Sequence, residues 1–433
     1  MDLLQFITNL NIVIVVVMTA AYLYQGVYML IGLIRRKMRP LPEAGRLHRF
    51  AALICARNEQ SVIGELVDSL KAQNYPAELL DIYVLADNCT DDTAGAAAAA
   101  GAIVYQRENK ELVGKGYALD ELLKHIAADR GGNAYDAYFI FDADNIVDPD
   151  FVREMNKTYD RGYEVATCYR NSKNFGDNWI SASYSIWFLR EARFLNAPRM
   201  LTGNSCAVSG TGFMVSGSVI RENGGWPFHL LTEDIQFSVD CVLKGRRIGY
   251  CDSAVVYDEQ PTTFRQSWNQ RLRWSKGFFQ VDRHYLLPLL KGSVSRSSLR
   301  MSCYDMFMTV APCIFLTLGA AVVNLLLLLL VCTQPFIIAR MIEAETGRYL
   351  FFCVVNTYLG MVAYGLLTVC SEWKRIHATA GEKLRYVAAF PVFMATYIPI
   401  TLVALFRNVT WTPITHYSSR QLGKAARSRQ AKA

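Results

Sequence analysis

The chain has 433 residues, 52% hydrophobic and only 19% charged, with a mean hydropathy of +0.14 and a net charge of +7. That charged share falls below the roughly 25% of a soluble globular chain, and the composition excludes disordered, collagen-like and small disulfide-scaffold proteins. The apolar residues gather at the N-terminus and in the last third, which points to an integral membrane protein with one large water-facing insert.

Residues 11–34 carry no charge and exceed the ~20 residues that cross a bilayer. Arg35, Arg36, Lys37 and Arg39 follow at once, which predicts an outside N-terminus and a cytoplasmic insert. A cleaved signal peptide is the competing reading. It requires positive charge ahead of its apolar run, and only Asp2 stands there. An anchor is expected over residues 1–37.

Residues 38–262 alternate strand and helix signals. RFAALICA (49–56), DIYVLAD (81–87), AIVYQR (102–107) and AYFIFDAD (137–144) read as strands; 57–73, the Ala-rich 94–100 and 116–128 read as helices. This order implies an α/β domain with a mostly parallel sheet covered on both faces. Such sheets bind ligands beyond the carboxyl ends of their strands. Arg57, Asn58 and Glu59, then Asp87 and Asn88, then Asp142 and Asp144, stand at those ends. No G-x-G-x-x-G follows the first strand and no G-x-x-x-x-G-K-[ST] occurs, so dinucleotide and P-loop chemistry lose their usual support.

Within the insert, Asp142-Ala143-Asp144 puts two carboxylates beyond an apolar strand, oxygen ligands that a hard divalent cation prefers. Ordinary turn aspartates are the bland alternative. Gly114-Lys115-Gly116 offers close approach and a cation, or simply a surface turn. Ser209-Gly210-Thr211-Gly212-Phe213 could bring a substrate near backbone, or make a tight turn. Thr232-Glu233-Asp234 opens a predicted helix running to Lys244. Thr232 suits an N-cap and the two acids suit the helix dipole, yet a carboxylate there can also take a proton from an attacking hydroxyl.

Residues 263–303 are expected to form interfacial amphipathic helices. There Gln270, Arg273 and Trp274 share a helix face by i, i+3, i+4 spacing. An arginine beside an aromatic can hold an anionic diphosphate and a stacked ring, while an amphipathic helix lying on the membrane explains the same residues. Residues 304–406 hold the C-terminal membrane segments, with spans expected at 304–331 and 349–370. The stretch 386–406 contains Pro391 and Pro399; the basic residues 407–433 beyond it favour a re-entrant or interfacial element and a cytoplasmic tail. The eleven cysteines stand without C-x-x-C spacing, which disfavours zinc. Arginines and aromatics form no coherent patch, so nucleic acid is not an expected partner.

Taken in order, ARNE (56–59), LADNCTDD (85–92), GKG (114–116), DAD (142–144), SGTGF (209–213), TED (232–234) and QRLRW (270–274) resemble the family 2 inverting glycosyltransferases. The closer likeness is to the membrane-embedded cellulose, hyaluronan, chitin-oligosaccharide and poly-N-acetylglucosamine synthases. WTPITH (411–416) is similar to a tail element of bacterial members. The resemblance implies a GT-A fold, a nucleotide-sugar donor (usually UDP-linked), Mg2+ or Mn2+, and transfer to a growing glycan or, alternatively, to a lipid; an inactive transferase-like scaffold is the competing reading of another class, which the intact TED, D-x-D and Q-x-x-R-W motifs argue against. It implies a multi-pass protein of the cell membrane with its catalytic domain in the cytoplasm. Ala56, Arg57, Asn58, Glu59 and Asp87 should contact the nucleoside, Lys115 the phosphate or sugar, and Asp142 the ribose and diphosphate. Asp144 should ligate the metal. Asp234, with Glu233 beside it, should be catalytic, and Gly210, Thr211, Gly212, Gln270, Arg273 and Trp274 should hold the pyrophosphate and acceptor. The sequence departs from the pattern in DNCTDD, where Asn88 replaces a second aspartate.

Overall fold

The structure, a computed structural model, describes residues 3–35, 38, 40–331 and 333–410. Arg36, Lys37, Arg39, the WTPITH segment and the rest of the basic tail lie outside the described residues.

One eight-stranded sheet organises the water-facing insert. Its strands are β1 (Phe50–Ala56), β2 (Leu80–Asp87), β3 (Ile103–Arg107), β4 (Ala137–Asp142), β5 (Ile146–Val147), β6 (Val165–Ser172), β7 (Phe213–Ser216) and β8 (Ile248–Asp258), laid side by side as β3-β2-β1-β4-β7-β6-β8-β5. The pairs β1–β2, β2–β3, β1–β4 and β6–β8 are parallel; β4–β7, β6–β7 and β5–β8 are antiparallel. The sheet is thus mixed and mostly parallel, as the alternating signals predict. Strands buried on both faces read as apolar runs, and two hydrophobic clusters cover them, one around Leu53, Leu85 and Ile140, the other around Ile54, Val84 and Phe139.

Register brings the functional strand ends together. Cys55 pairs with Leu85 and with Asp142, so β1, β2 and β4 finish side by side. Just past two of these ends, Asn58 (φ 58°) and Asn88 (φ 51°) adopt the left-handed backbone that asparagine tolerates better than most residues. Asn58 Oδ1 accepts from the Thr90 amide at 2.7 Å, and Asn88 Oδ1 from the Asn109 amide at 2.9 Å. Each turn is therefore pinned by the residue that bends it.

Several local expectations change. The first helix occupies only Ile63–Lys71, because residues 57–62 form the turn that closes the β1 end. The strand before the D-x-D stops at Asp142, leaving Asp144 in the turn to β5. Thr232 stands at the N-cap of Glu233–Leu243 but makes no capping bond; a Cβ on Gly277 would lie only 2.5 Å from its side chain, showing how closely the two elements pack.

The apolar stretch 304–331 is two helices, Arg300–Val310 and Pro312–Val331. Proline cannot donate to the helix ladder and crowds the preceding turn. The first of these helices packs on the insert, with Asp305 fully buried and held at both oxygens by Arg199 at 2.7 Å. The span expected at 349–370 lies inside a longer helix, Phe336–Ser371. Among the described residues, Gln5–Ile34 and Phe336–Ser371 are long and apolar enough to cross a membrane. The pair Ala380–Val387 and Phe390–Phe406, bent by 42°, makes a third if it is one span.

Strand β6 faces two ways, because successive side chains of a strand point to opposite sides. From one face, the Tyr169 hydroxyl donates to Glu372 at 2.7 Å and Asn171 Nδ2 to the Arg375 carbonyl at 2.9 Å, both just beyond the Phe336–Ser371 helix. From the other, Arg170 reaches Asp258 and the Ser209 carbonyl.

Candidate active site

The cleft begins at the ends of β1 and β2. Ala56 is buried, Asn58 shapes the turn, and the Glu59 amide donates to Thr93 Oγ1 at 2.9 Å. Asp87 is buried and paired with Arg107 Nη1 at 2.7 Å, while Asn88 Nδ2 donates to the same oxygen at 2.8 Å. Burial raises the Asp87 pKa; Arg107 and Arg57 oppose the rise. Arg107 ends β3 and did not stand out in the sequence, where it reads as an ordinary strand-terminal cation.

Lys115 opens the helix Lys115–Arg130. Its ammonium binds an Asp142 oxygen and donates to the Gly210 carbonyl at 2.6 Å. Burial alone would pull this lysine down, but Asp142 and Glu233 more than offset it and its pKa rises. Gly116 is required by packing, since a Cβ there would meet the Phe228 carbonyl oxygen at 2.0 Å. The Asp142 amide donates to Thr211 Oγ1 at 2.9 Å, and Thr211 in turn donates to Asn145 Oδ1. At Gly212 (φ 65°) a Cβ would stand 2.4 Å from Cys168 Sγ, so only glycine fits. The SGTGF turn is therefore a bracket between Lys115, Asp142 and the sheet.

Asp144 is buried, with Oδ2 accepting the Glu259 amide at 3.1 Å. Beside it, Asn145 Nδ2 donates to Asp258 Oδ1 at 3.1 Å, and Gln260 and Arg170 bond Asp258 Oδ2. Burial raises the Asp258 pKa, Arg170 lowers it and Asp144 raises it further. Arg170 and Asp258 were missed in the sequence. Asp258 ends an apolar strand just as Asp142 does, so the strand-end rule would have found it; Arg170, inside β6, gave no such sign.

Glu233 and Asp234 open the next helix. A Cβ on Gly210 would sit 3.5 Å from Asp234 Oδ2, which puts the bracket directly on this carboxylate. Burial and the Asp234 charge push Glu233 up to about 7, against Lys115 and Arg273. Asp234 is also raised, first by burial, with the Ile235 amide, Lys115 and Arg170 pulling it down and Asp142 adding to the rise. The half-buried Cys55 thiol feels the charges of Lys115, Asp87, Glu233 and Asp142 together, so these groups lie near one another.

The helix Phe264–Val294 carries Gln270, Arg273 and Trp274. Gln270 Oε1 is buried and has no hydrogen-bond partner among the described residues. Arg273 lies near enough to Glu233 to lower its pKa. Trp274 packs edge-on against Tyr184 (5.8 Å between centroids) and Phe188 (6.3 Å), and the Arg170 guanidinium lies 3.8 Å over the Phe188 ring. The aromatic residues thus connect Trp274 to the Arg170–Asp258 pair beside Asp144. The intervening Arg271 is fully buried; its Nη1 donates to the Phe393 carbonyl at 2.9 Å and to Thr396 Oγ1 at 2.6 Å. Its role was hidden in the sequence because its partners lie in the broken C-terminal segment.

As a place for a divalent ion, the cleft offers oxygen donors alone. No cluster of three or more His, Cys, Asp or Glu side chains suited to a metal occurs among the described residues. Asp144 is an oxygen donor of the kind a hard ion prefers, whereas the Asp142 carboxylate is already paired with Lys115.

The model for the family described as "Glycosyltransferase like family 2" matches residues 48–277 of the 433. Among curated proteins, the chain is 27% identical over 237 residues to the beta-monoglucosyldiacylglycerol synthase of Synechocystis sp., covering 53% of this chain and 47% of that protein. It is 24% identical over 253 residues to the poly-beta-1,6-N-acetyl-D-glucosamine synthase of Staphylococcus aureus, covering 56% and 58%. The chain spans about half the length of these curated relatives. Among solved structures, the mannosyltransferase PcManGT from Pyrobaculum calidifontis, in complex with GDP-Man and Mn2+, superposes with a TM-score of 0.56 at 16% identity, over 92% of this chain and 99% of that one. A match over more than half of the sequence, on a GT-A sheet whose strand ends converge as described, makes this chain a family 2 glycosyltransferase that also carries helices fit to cross a membrane.

Proposed function

We propose that the protein transfers a sugar from a UDP-linked donor to an acceptor hydroxyl with inversion, extending a polysaccharide or oligosaccharide at the cytoplasmic face of a membrane. One observation carries the reading: Asp234 abuts Gly210, whose carbonyl holds the Lys115 ammonium paired with Asp142. Base, cation and donor-side carboxylate are within one cleft.

The acceptor hydroxyl is a poor nucleophile until Asp234 takes its proton. Burial, with the charge of Asp142 adding to it, raises the proton affinity of this carboxylate, which suits a general base. The departing diphosphate gains negative charge, and Lys115 and Arg273 stand ready to stabilise it. A Mg2+ or Mn2+ ion, which Asp144 would hold, would supply Lewis-acid stabilisation of the departing diphosphate. The ARNE turn and Asp87, steadied by Arg107, form the nucleoside end. Gln270 and Trp274 form the acceptor wall, with Thr211 and Gly212 beneath.

A second reading, single transfer to a lipid headgroup, is favoured by the aromatic cluster of Trp179, Tyr184, Trp187, Trp274, Phe393 and Tyr397. It runs from the cleft to the broken C-terminal segment, where a lipid acceptor would arrive. That segment is assigned as re-entrant or interfacial: residues 393 and 396 bond Arg271, and the Ala404 carbonyl accepts from Lys276 at 3.1 Å, so both of its ends rest on one short stretch of the same helix. The working division is an anchor (1–37), a transferase domain (38–262), interfacial helices (263–303), membrane segments (304–406) and a cytoplasmic tail (407–433).

The test is incubation of membranes containing the protein with labelled UDP-sugars and a divalent ion, followed by sizing. A ladder of large products supports glycan extension; one lipid of shifted mobility supports single transfer. Bound nucleotide with no product from any donor would overturn both.

A further inference from the structure

A cavity of about 590 Å³ lies beside the cleft described above, between the end of β6 and the loop that follows the Phe336–Ser371 helix. Lys173, Asn174 and Asp177 line it from the sheet side; His377, Thr379 and Glu382 line it from the loop. Its volume falls within the range of small-molecule sites.

Lys173 is the anomaly. It is 5% exposed, and its ammonium has no hydrogen-bond partner among the described residues. Lysine is almost never buried unless paired, and an isolated buried charge is strongly disfavoured. The surrounding polar groups are otherwise well ordered. Asn174 exchanges hydrogen bonds with the Gln260 amide and carbonyl at 2.9 Å, and its Nδ2 also donates to Asp177 Oδ2 at 3.1 Å. Glu382 Oε2 accepts from the Thr379 amide and hydroxyl at 2.8 Å, closing a capping box. Each carboxylate keeps a second oxygen as an acceptor site.

The mixture of charges selects the ligand class. An anion would meet the carboxylates of Asp177 and Glu382; a metal cation would meet Lys173. A neutral molecule rich in hydroxyls satisfies both, accepting from the ammonium and donating to the carboxylates. We propose that this cavity is an accessory carbohydrate site that takes a neutral pyranose or a short neutral glycan between the catalytic domain and the membrane-linked loop. The site adjoins the catalytic centre without being part of it: the Lys173 amide donates to the Asp258 carbonyl at 2.8 Å, and Gln260 Nε2 donates to Asp258 Oδ2 at 2.9 Å.

The experiment is titration of the full chain in detergent micelles with cellobiose and with N,N′-diacetylchitobiose, read by saturation-transfer NMR, with thermal melting as a check on folding. At least one disaccharide should bind. Lys173→Met should weaken it about tenfold, the loss of one charged hydrogen bond, while Asp234→Asn should bind as the wild type does. Asp177→Asn changes an exposed residue that can still accept from Asn174; it should also weaken binding, and it serves alone if Lys173→Met fails to fold. Absence of binding by both sugars, binding indifferent to Lys173→Met and Asp177→Asn, loss in Asp234→Asn, or displacement by inorganic phosphate would each overturn the proposal.

Discussion

The sides of the cleft proposed for donor and acceptor are built on different principles. The donor side is made of sheet: Ala56, Asp87 and Asp142 sit where they do because β1, β2 and β4 end in register, and Arg107 comes from the adjacent strand. The acceptor side is made of helices held by contacts far apart in the chain. The helix bearing Gln270 and Trp274 is tied through Arg271 to Phe393 and Thr396, and through Lys276 to Ala404. Backbone pairing fixes the first set whatever the membrane does; the second set is only as well placed as the broken segment that clasps it.

The largest effect expected is on the chemical step, where the two sides meet. Asp234→Asn should lower transfer about a thousandfold, a typical share for a positioned base, while nucleotide binding, measured by calorimetry, stays within about threefold because the donor side is untouched. Equal loss of binding and turnover would mean that the two sides are not separable. Next comes the donor side itself. Lys115→Met removes the charged bond to Asp142 and should weaken donor binding by about 1.5–3 kcal/mol, roughly ten- to a hundredfold. Its signature is a raised donor KM, and an unchanged KM would displace Lys115 from the donor.

Arg271→Met probes the clasp. It removes the guanidinium bonds to the Phe393 carbonyl and Thr396 Oγ1, costing about 1.5–3 kcal/mol for a charged hydrogen bond, and should lower both melting temperature and kcat while leaving donor KM alone. A change in donor KM instead would show that the sheet depends on the membrane segment.

The smallest effect is in pH. Glu233 stands at about 7 in the fold, above the ordinary 4.5 for a glutamate, because of burial and Asp234. The folded state therefore holds an extra proton between those values. Its stabilising contribution is present below about 4.5 and is lost as pH rises through about 7. Melting temperature should fall modestly over that interval, and Glu233→Gln should flatten the dependence. A wild-type profile with no slope there would remove the proposed proton from Glu233.

This contrast also explains what could be read from the sequence. Strand ends are a local signal, an apolar run followed by an acid, so Asp87 and Asp142 were visible, and Asp258 obeyed the same rule. Clasp residues carry no local signal. Arg271 in isolation resembles any cation on an amphipathic helix, and its partners lie more than a hundred residues away. Hydropathy likewise joined 304–331 into one span, because it counts apolar atoms and is indifferent to the backbone donor that Pro312 lacks and to the buried pairing of Asp305 with Arg199.

The two-faced strand β6 has a consequence for tolerance to change. Tyr169 and Asn171 grip the loop after a membrane helix, while Arg170, between them, grips Asp258. Inserting or deleting one residue upstream in this strand would exchange the two sets of side chains, turning the guanidinium toward the loop and a tyrosine toward the acids. Length variation should thus be forbidden in β6 even where substitution is tolerated, and grafting this catalytic domain onto a foreign membrane anchor would demand that the strand and the loop 372–375 be moved as one piece.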